Sequence, residues 1–218
     1  MSALAFIPSI ALGLLVVFIA WPGPYRCSLG LKLSISLALG PGIVSCLYFI
    51  WCLFMRPRSR VYFLAEWLLL GALLLLAWLL RKYKAGQPPL FPSVGRPDGL
   101  ERALLGVFGI AMLIAGINFV IQTLMQPHGI QDAWNIWNMR ARFMFRGGPG
   151  WTDLFSPDLY WLNHPDYPFL ITAGAARTWS LAGHESPLAP AIQAALYALA
   201  TVGLLLNSVA LKRGWGLG

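Results

Sequence analysis

Four side chains in this sequence have the types and spacing to do chemistry: Asp132, Arg142, His164 and Asp166. All lie within residues 128–168, a stretch that holds four of the eight acidic residues and two of the three histidines. A carboxylate at position 132 can take a proton from a hydroxyl acceptor, or orient it. His164 can donate to a phosphate and attracts it more strongly when protonated. The Arg142 guanidinium, with Arg146 one turn later, can grip phosphate in bidentate fashion. Asp166 offers a second carboxylate. Each residue also has a plainer reading. Asp132 can be a helix-start residue held by free N–H groups, worth about 0.5–2 kcal/mol. Asp166 can cap the helix that Pro168 opens. His164 can be an interfacial loop histidine, and the arginines can touch ordinary headgroups. On the residues alone both readings stay open. His128 and His184 carry no pattern, and the sequence has no Ser/His/Asp set, phosphate-cradling glycine loop or metal-ligand spacing.

These residues need elements to position them. The pattern predicts a helix from about Asp132 to Arg146. At 100° per residue, Asp132, Asn135, Asn138, Arg142 and Arg146 share one face, and Ala133, Trp134, Trp137, Ala141, Met144 and Phe145 the other. That is an amphipathic helix lying in the membrane interface rather than crossing it. Gly147-Gly148-Pro149-Gly150 ends it. Residues 168–182 form a second juxtamembrane helix; at 15 residues with Arg177 inside, it is short of the roughly 20 needed to span. Trp134, Trp137 and Tyr167 read as packing and interfacial anchors, and Trp151, Tyr160 and Trp161 suit the headgroup level.

The rest of the chain is apolar. It is 58% hydrophobic and 11% charged, with mean hydropathy +0.65, against about 25% charged residues in soluble domains. The expected fold class is all-α: a polytopic integral membrane protein with about five transmembrane helices and two juxtamembrane amphipathic helices in an external loop. Spans are expected at 3–21, 33–55, 61–80, 103–124 and 189–211. Glu66 lies inside the third, six residues from Arg60, and either reaches the interface or marks a functional site. Residues 1–84 form a three-span unit, 85–102 a basic cytoplasmic linker, and 103–218 a module of span, external loop 125–188 and span. The basic linker places the 128–168 stretch outside the cell and the N-terminus outside as well. The net charge of +8 serves anchoring and orientation; no nucleic-acid motif accompanies it. Cys27, Cys46 and Cys52 read as small buried hydrophobes.

The segment from Asp132 to about Gly214 resembles the glycosyltransferase C superfamily, most closely the protein O-mannosyltransferase and aminoarabinose-transferase branch, family 39 and its bacterial relatives. Asp132-Ala133-Trp134 stands at that branch's acidic motif, Gly147-Gly148 at its glycine stop, His164-Pro165-Asp166-Tyr167-Pro168 at its His-Pro-Pro motif, and Gly183-His184-Glu185-Ser186-Pro187 at its link to the next span. The order agrees over roughly 80 residues. Two departures stand out: Ala133 replaces a second acidic residue, and Asp166 and Tyr167 interrupt the His-Pro-Pro motif. The three preceding spans have no counterpart in the usual plan, and the sequence reads as the N-terminal part of a longer protein.

The resemblance implies an enzyme of the prokaryotic plasma (inner) membrane. It would move a sugar from a polyprenyl-phosphate donor to an extracytoplasmic acceptor. Asp132 would be catalytic, with His164, Asp166 and Arg142 binding substrate. No cofactor is expected; a divalent metal occurs in the wider superfamily, but nothing here calls for one. Expected partners are the polyprenyl-phosphate sugar and membrane lipids, not nucleic acid. Two alternatives are a non-catalytic scaffold or lipid-linked-sugar binding protein of the same fold, and a small transporter. A transporter's spans should carry more polar groups or paired broken helices.

Overall fold

The structure, a computed structural model, describes residues 3–21, 29–85, 97–159, 164 and 166–213. Among them every regular element is helical. The long helices are α1 (Phe6–Ala20), α2 (Leu29–Phe54), α3 (Arg60–Ala85) and α4 (Gly99–Met125). A π-turn (Ala133–Asn138) leads into α5 (Met139–Arg146), and a 3-10 helix (Gly148–Phe155) follows. Then come α6 (Leu170–Ala182) and α7 (Leu188–Arg213). Four stretches are long and apolar enough to cross a membrane: Leu29–Phe54, Arg60–Arg81, Gly99–Met125 and Leu188–Lys212. The chain is thus an integral membrane protein by helix length and composition. The expected first span is realised as the 15-residue α1, shorter than the other four. Most of the expected linker, 85–102, lies outside the described residues. Its end is described: Asp98 and Glu101 form a reciprocal capping box at the start of α4, which fixes where that span begins.

Helix α2 is the hub, packing against α1, α6 and α7. Lipid tails are as apolar as leucine, so membrane helices associate through close approach of small residues. The α2 sequence supplies two such stripes. Ser36 and Gly40 meet Ser9 and Gly13 of α1, where a Cβ on Gly13 would lie 2.8 Å from the Gly40 nitrogen. On another side Gly30 and Ser34 meet Asn207 and Gly203 of α7. The Gly40-Pro41-Gly42 sequence does not interrupt the span: α2 runs through Pro41, which is buried. Gly40→Leu is therefore expected to force α1 off α2 and cost about 1–3 kcal/mol, read as a lower unfolding temperature in detergent. An unchanged value would mean that this crossing does not hold the helices together.

The second core lies at the other end of α2. Tyr48, Cys52 and Tyr62 pack with Met144, Phe145, Trp151, Leu154 and Trp179. Helices α2 and α3 and the 128–188 segment therefore share one core. Trp151, expected at headgroup level, is 3% exposed, and its Nε1 donates to the Cys52 carbonyl at 3.0 Å. Tyr160 and Trp161 lie outside the described residues. Of the cysteines, Cys52 is buried and Cys46 exposed; Cys27 is outside the described residues. Helix α6 is not a half-immersed amphipathic helix. Every residue from Thr172 to Trp179 is buried, because the small side chains of Ala173-Gly174-Ala175-Ala176 let α2, α5 and α7 close around it. It ends at Gly183, whose φ of +79° provides the left-handed turn that stops a helix.

Helix α4 differs from the rest in burying no residue at all.

Candidate functional site

The candidate site is built on the helix that runs from Gln131 through the π-turn to Arg146. A π-turn inserts one extra residue into a helical turn. It therefore rotates everything before it relative to everything after it. In α5 the expected faces hold: Ala141, Met144 and Phe145 are buried, while Arg142 and Arg146 point away to Glu185. Upstream they do not. Asn138, expected on the polar face, is 3% exposed and donates from Nδ2 to the His128 carbonyl at 3.1 Å. Trp134, expected on the apolar face, is 49% exposed.

Asp132 is exposed and makes no capping bond with its side chain. The plain helix-start role therefore lacks its hydrogen bond, and the carboxylate is open to an acceptor. The Trp137 ring stacks on Tyr167, with centroids 5.6 Å apart, and Tyr167 stacks on His164 at 4.9 Å. His164 has φ +44°, an uncommon value for a non-glycine residue and one that concentrates at functional sites. Asp166 does not cap α6: its N-cap position is Phe169 and no side chain caps it. Thus Asp132, His164 and Asp166 belong to two segments laid side by side, joined through Trp137 and Tyr167.

Arg142 is placed differently from expectation. Its Nε donates to Glu185 at 3.2 Å, and Arg146 Nη2 reaches the same carboxylate at 2.7 Å. Two guanidiniums committed to one carboxylate are poor phosphate ligands. Arg146 foremost, with Arg142 behind it, holds the Glu185 carboxyl below its ordinary range. A lowered carboxyl stabilises the fold above its unfolded pKa, and that stabilisation fades as pH falls through the lowered value. Glu185→Gln is accordingly expected to cost about 1 kcal/mol near neutral pH, with wild type and variant converging in acid. Equal stability at neutral pH would remove Glu185 as a tie between α5 and the α6–α7 link.

The residue that sequence reasoning missed is Arg140. It is fully buried. Nη2 donates to the Tyr167 carbonyl at 2.7 Å, and the guanidinium lies over the Phe169 ring at 3.8 Å. Its Nε and Nη1 have no hydrogen-bond partner among the described residues. Burial pushes its pKa down, opposed by the nearby Asp166 carboxylate. Arg140 is thus a buried guanidinium behind the His164–Tyr167 segment, with two N–H groups unmet among the described residues and the Asp166 carboxylate nearby. The signal was its position at the edge of the apolar side, beside Met144, where a charge needs a reason to be.

Against the π-turn lies a cavity of about 290 Å³, of which Asp132 is not a lining residue. Ala133, Trp137 and Asn138 of the π-turn form one wall; Phe119 and Thr123 of α4 and Ala194 of α7 form others. It is largely apolar and lies between two membrane spans. Among the described residues, no group of His, Cys, Asp and Glu could hold a metal ion. No protein-family model, curated protein or solved structure matches the chain.

Proposed function

We propose that this chain is a multi-pass membrane glycosyltransferase of the prokaryotic plasma membrane, moving a sugar from a polyprenyl-phosphate donor to an acceptor on the extracytoplasmic face. The carrying observation is the uncapped, exposed Asp132 at the head of a π-turn that lines an apolar cavity between two spans. The orientation rests on the basic loop that joins α3 to α4 and not on the overall Lys and Arg count, which among the described residues is seven at each end of the bundle. In this reading α1 is the fifth crossing.

The chemistry is a displacement at the sugar's anomeric carbon. Asp132 takes the acceptor's proton, the acceptor oxygen bonds to the carbon, and the carbon–oxygen bond to the carrier phosphate breaks. The phosphate leaves on the polyprenol, held by His164 and by Arg140 in place of Arg142. The cavity receives the first part of the carrier's apolar chain.

A scaffold or lipid-linked-sugar binding protein is the second reading. It is favoured by Ala133, where a second carboxylate would stand, and by the engagement of Arg142 and Arg146 with Glu185. The test supplies membranes containing the chain with polyprenyl phosphates bearing labelled sugars. Transfer of label that depends on the chain supports the enzyme. Donor binding without transfer of any sugar supports the scaffold.

A further inference from the structure

A second cavity lies at the opposite end of the bundle from Asp132. It measures about 550 Å³ and is bounded by the last turns of α1, the first turns of α2 and the last turns of α3. Its floor is aliphatic and aromatic, with Leu14, Phe18, Leu33, Leu74 and Trp78 among its walls. Its mouth is cationic. Lys32 lines it at 6% exposure, with Nζ 5.1 Å from the centre of the Trp21 ring. Arg81 lines it from α3, its guanidinium 5.2 Å from the centre of the Trp78 ring.

We propose that this groove binds an anionic phospholipid of the leaflet around the lysine-bearing end, with the headgroup phosphate between Lys32 and Arg81 and one acyl chain descending between α1 and α3. Charge complementarity identifies the occupant. The two acidic side chains at this end, Asp98 and Glu101, cap the start of α4, so the end carries a large excess of positive charge. Basic pockets between spans on the cytoplasmic side take anionic headgroups, and the cavity falls within the roughly 300–1,000 Å³ of ordinary ligand pockets. Trp21 and Trp78 stand where interfacial aromatics mark the headgroup level.

The test is native mass spectrometry of the full chain released from detergent with added phosphatidylglycerol or phosphatidylcholine of identical acyl chains. Wild type is expected to retain the anionic lipid in preference by about tenfold or more, on the scale of roughly fivefold per cation. Lys32→Gln with Arg81→Gln should abolish the preference. Arg81→Gln alone, on an exposed side chain that folding does not need, should lose part of it. Leu33→Trp, which fills the groove and keeps both charges, should lower retention of both lipids. Equal retention of the two lipids by wild type, or a preference unchanged in Arg81→Gln, overturns the proposal.

Discussion

Replacing Arg177 with alanine is expected to destabilise the folded chain by about 3–5 kcal/mol, the cost of stripping one partner from a buried ion pair. Arg177 on α6 grips Glu66 on α3 with two N–H groups, and its Nη1 donates to the Ala5 carbonyl at the start of α1 at 3.0 Å. The side chains are 1% and 5% exposed. Three elements distant in sequence thus meet at one guanidinium. Removing it leaves a carboxylate in an apolar surround and takes a second donor from the N-cap carbonyl of α1. Lysine should not rescue, because one ammonium cannot present the planar fork that serves a carboxylate and a carbonyl together. The double variant Glu66→Gln with Arg177→Met should recover much of the loss, since it removes both charges. The measurement is thermal unfolding of wild type, both single variants and the double variant in one detergent. Single variants within about 0.5 kcal/mol of wild type would place them among ordinary surface changes. The pair would then not fix α3, α6 and α1 together.

The same pair shows where the sequence was legible and where it was not. Runs of about 20 apolar residues announce spans by length alone, so the four long helices were readable as the runs 33–55, 61–80, 103–124 and 189–211, inside the helices the structure shows. The apolar side of α5 was readable because Ala141, Met144 and Phe145 follow the helical period. Glu66 was visible as an ionisable residue within a span, but it is buried against Arg177. Its partner is 111 residues away, and no local pattern carries that distance. Arg177 was visible only as an oddity in a short helix. The π-turn was not legible, because an inserted residue leaves no compositional mark; it changes which side Asn138 and Trp134 occupy without changing what they are. Arg140 followed from the same limit. Arg142 and Arg146 had the clearer polar-face positions, yet Glu185, some 40 positions on, claims both. For the site, then, the sequence carried the two segments that Trp137 and Tyr167 join. It did not carry Arg140, which is bonded to the second of them.

Asp132→Asn is expected to lower sugar transfer by on the order of a hundredfold or more, the usual weight of a positioned base, and to leave stability within about 0.5 kcal/mol of wild type. The two expectations have separate grounds. The side chain is exposed and caps nothing, so the amide loses no structural bond. It keeps the shape of the carboxylate and removes only its charge and basicity. The loss should therefore fall on kcat more than on KM, since the acceptor can still be held but not deprotonated. Arg142→Ala is the useful contrast. Its guanidinium is tied to Glu185, so it should weaken the contact between α5 and the α6–α7 link while transfer per folded molecule stays near that of wild type. Arg140→Lys, which keeps a charge but loses the planar fork, should raise KM for the donor if that residue holds the carrier phosphate. Equal transfer by wild type and Asp132→Asn would return Asp132 to a helix-start residue without a bond. The base would then have to be sought at Asp166, the other exposed carboxylate on the two segments that Trp137 and Tyr167 join.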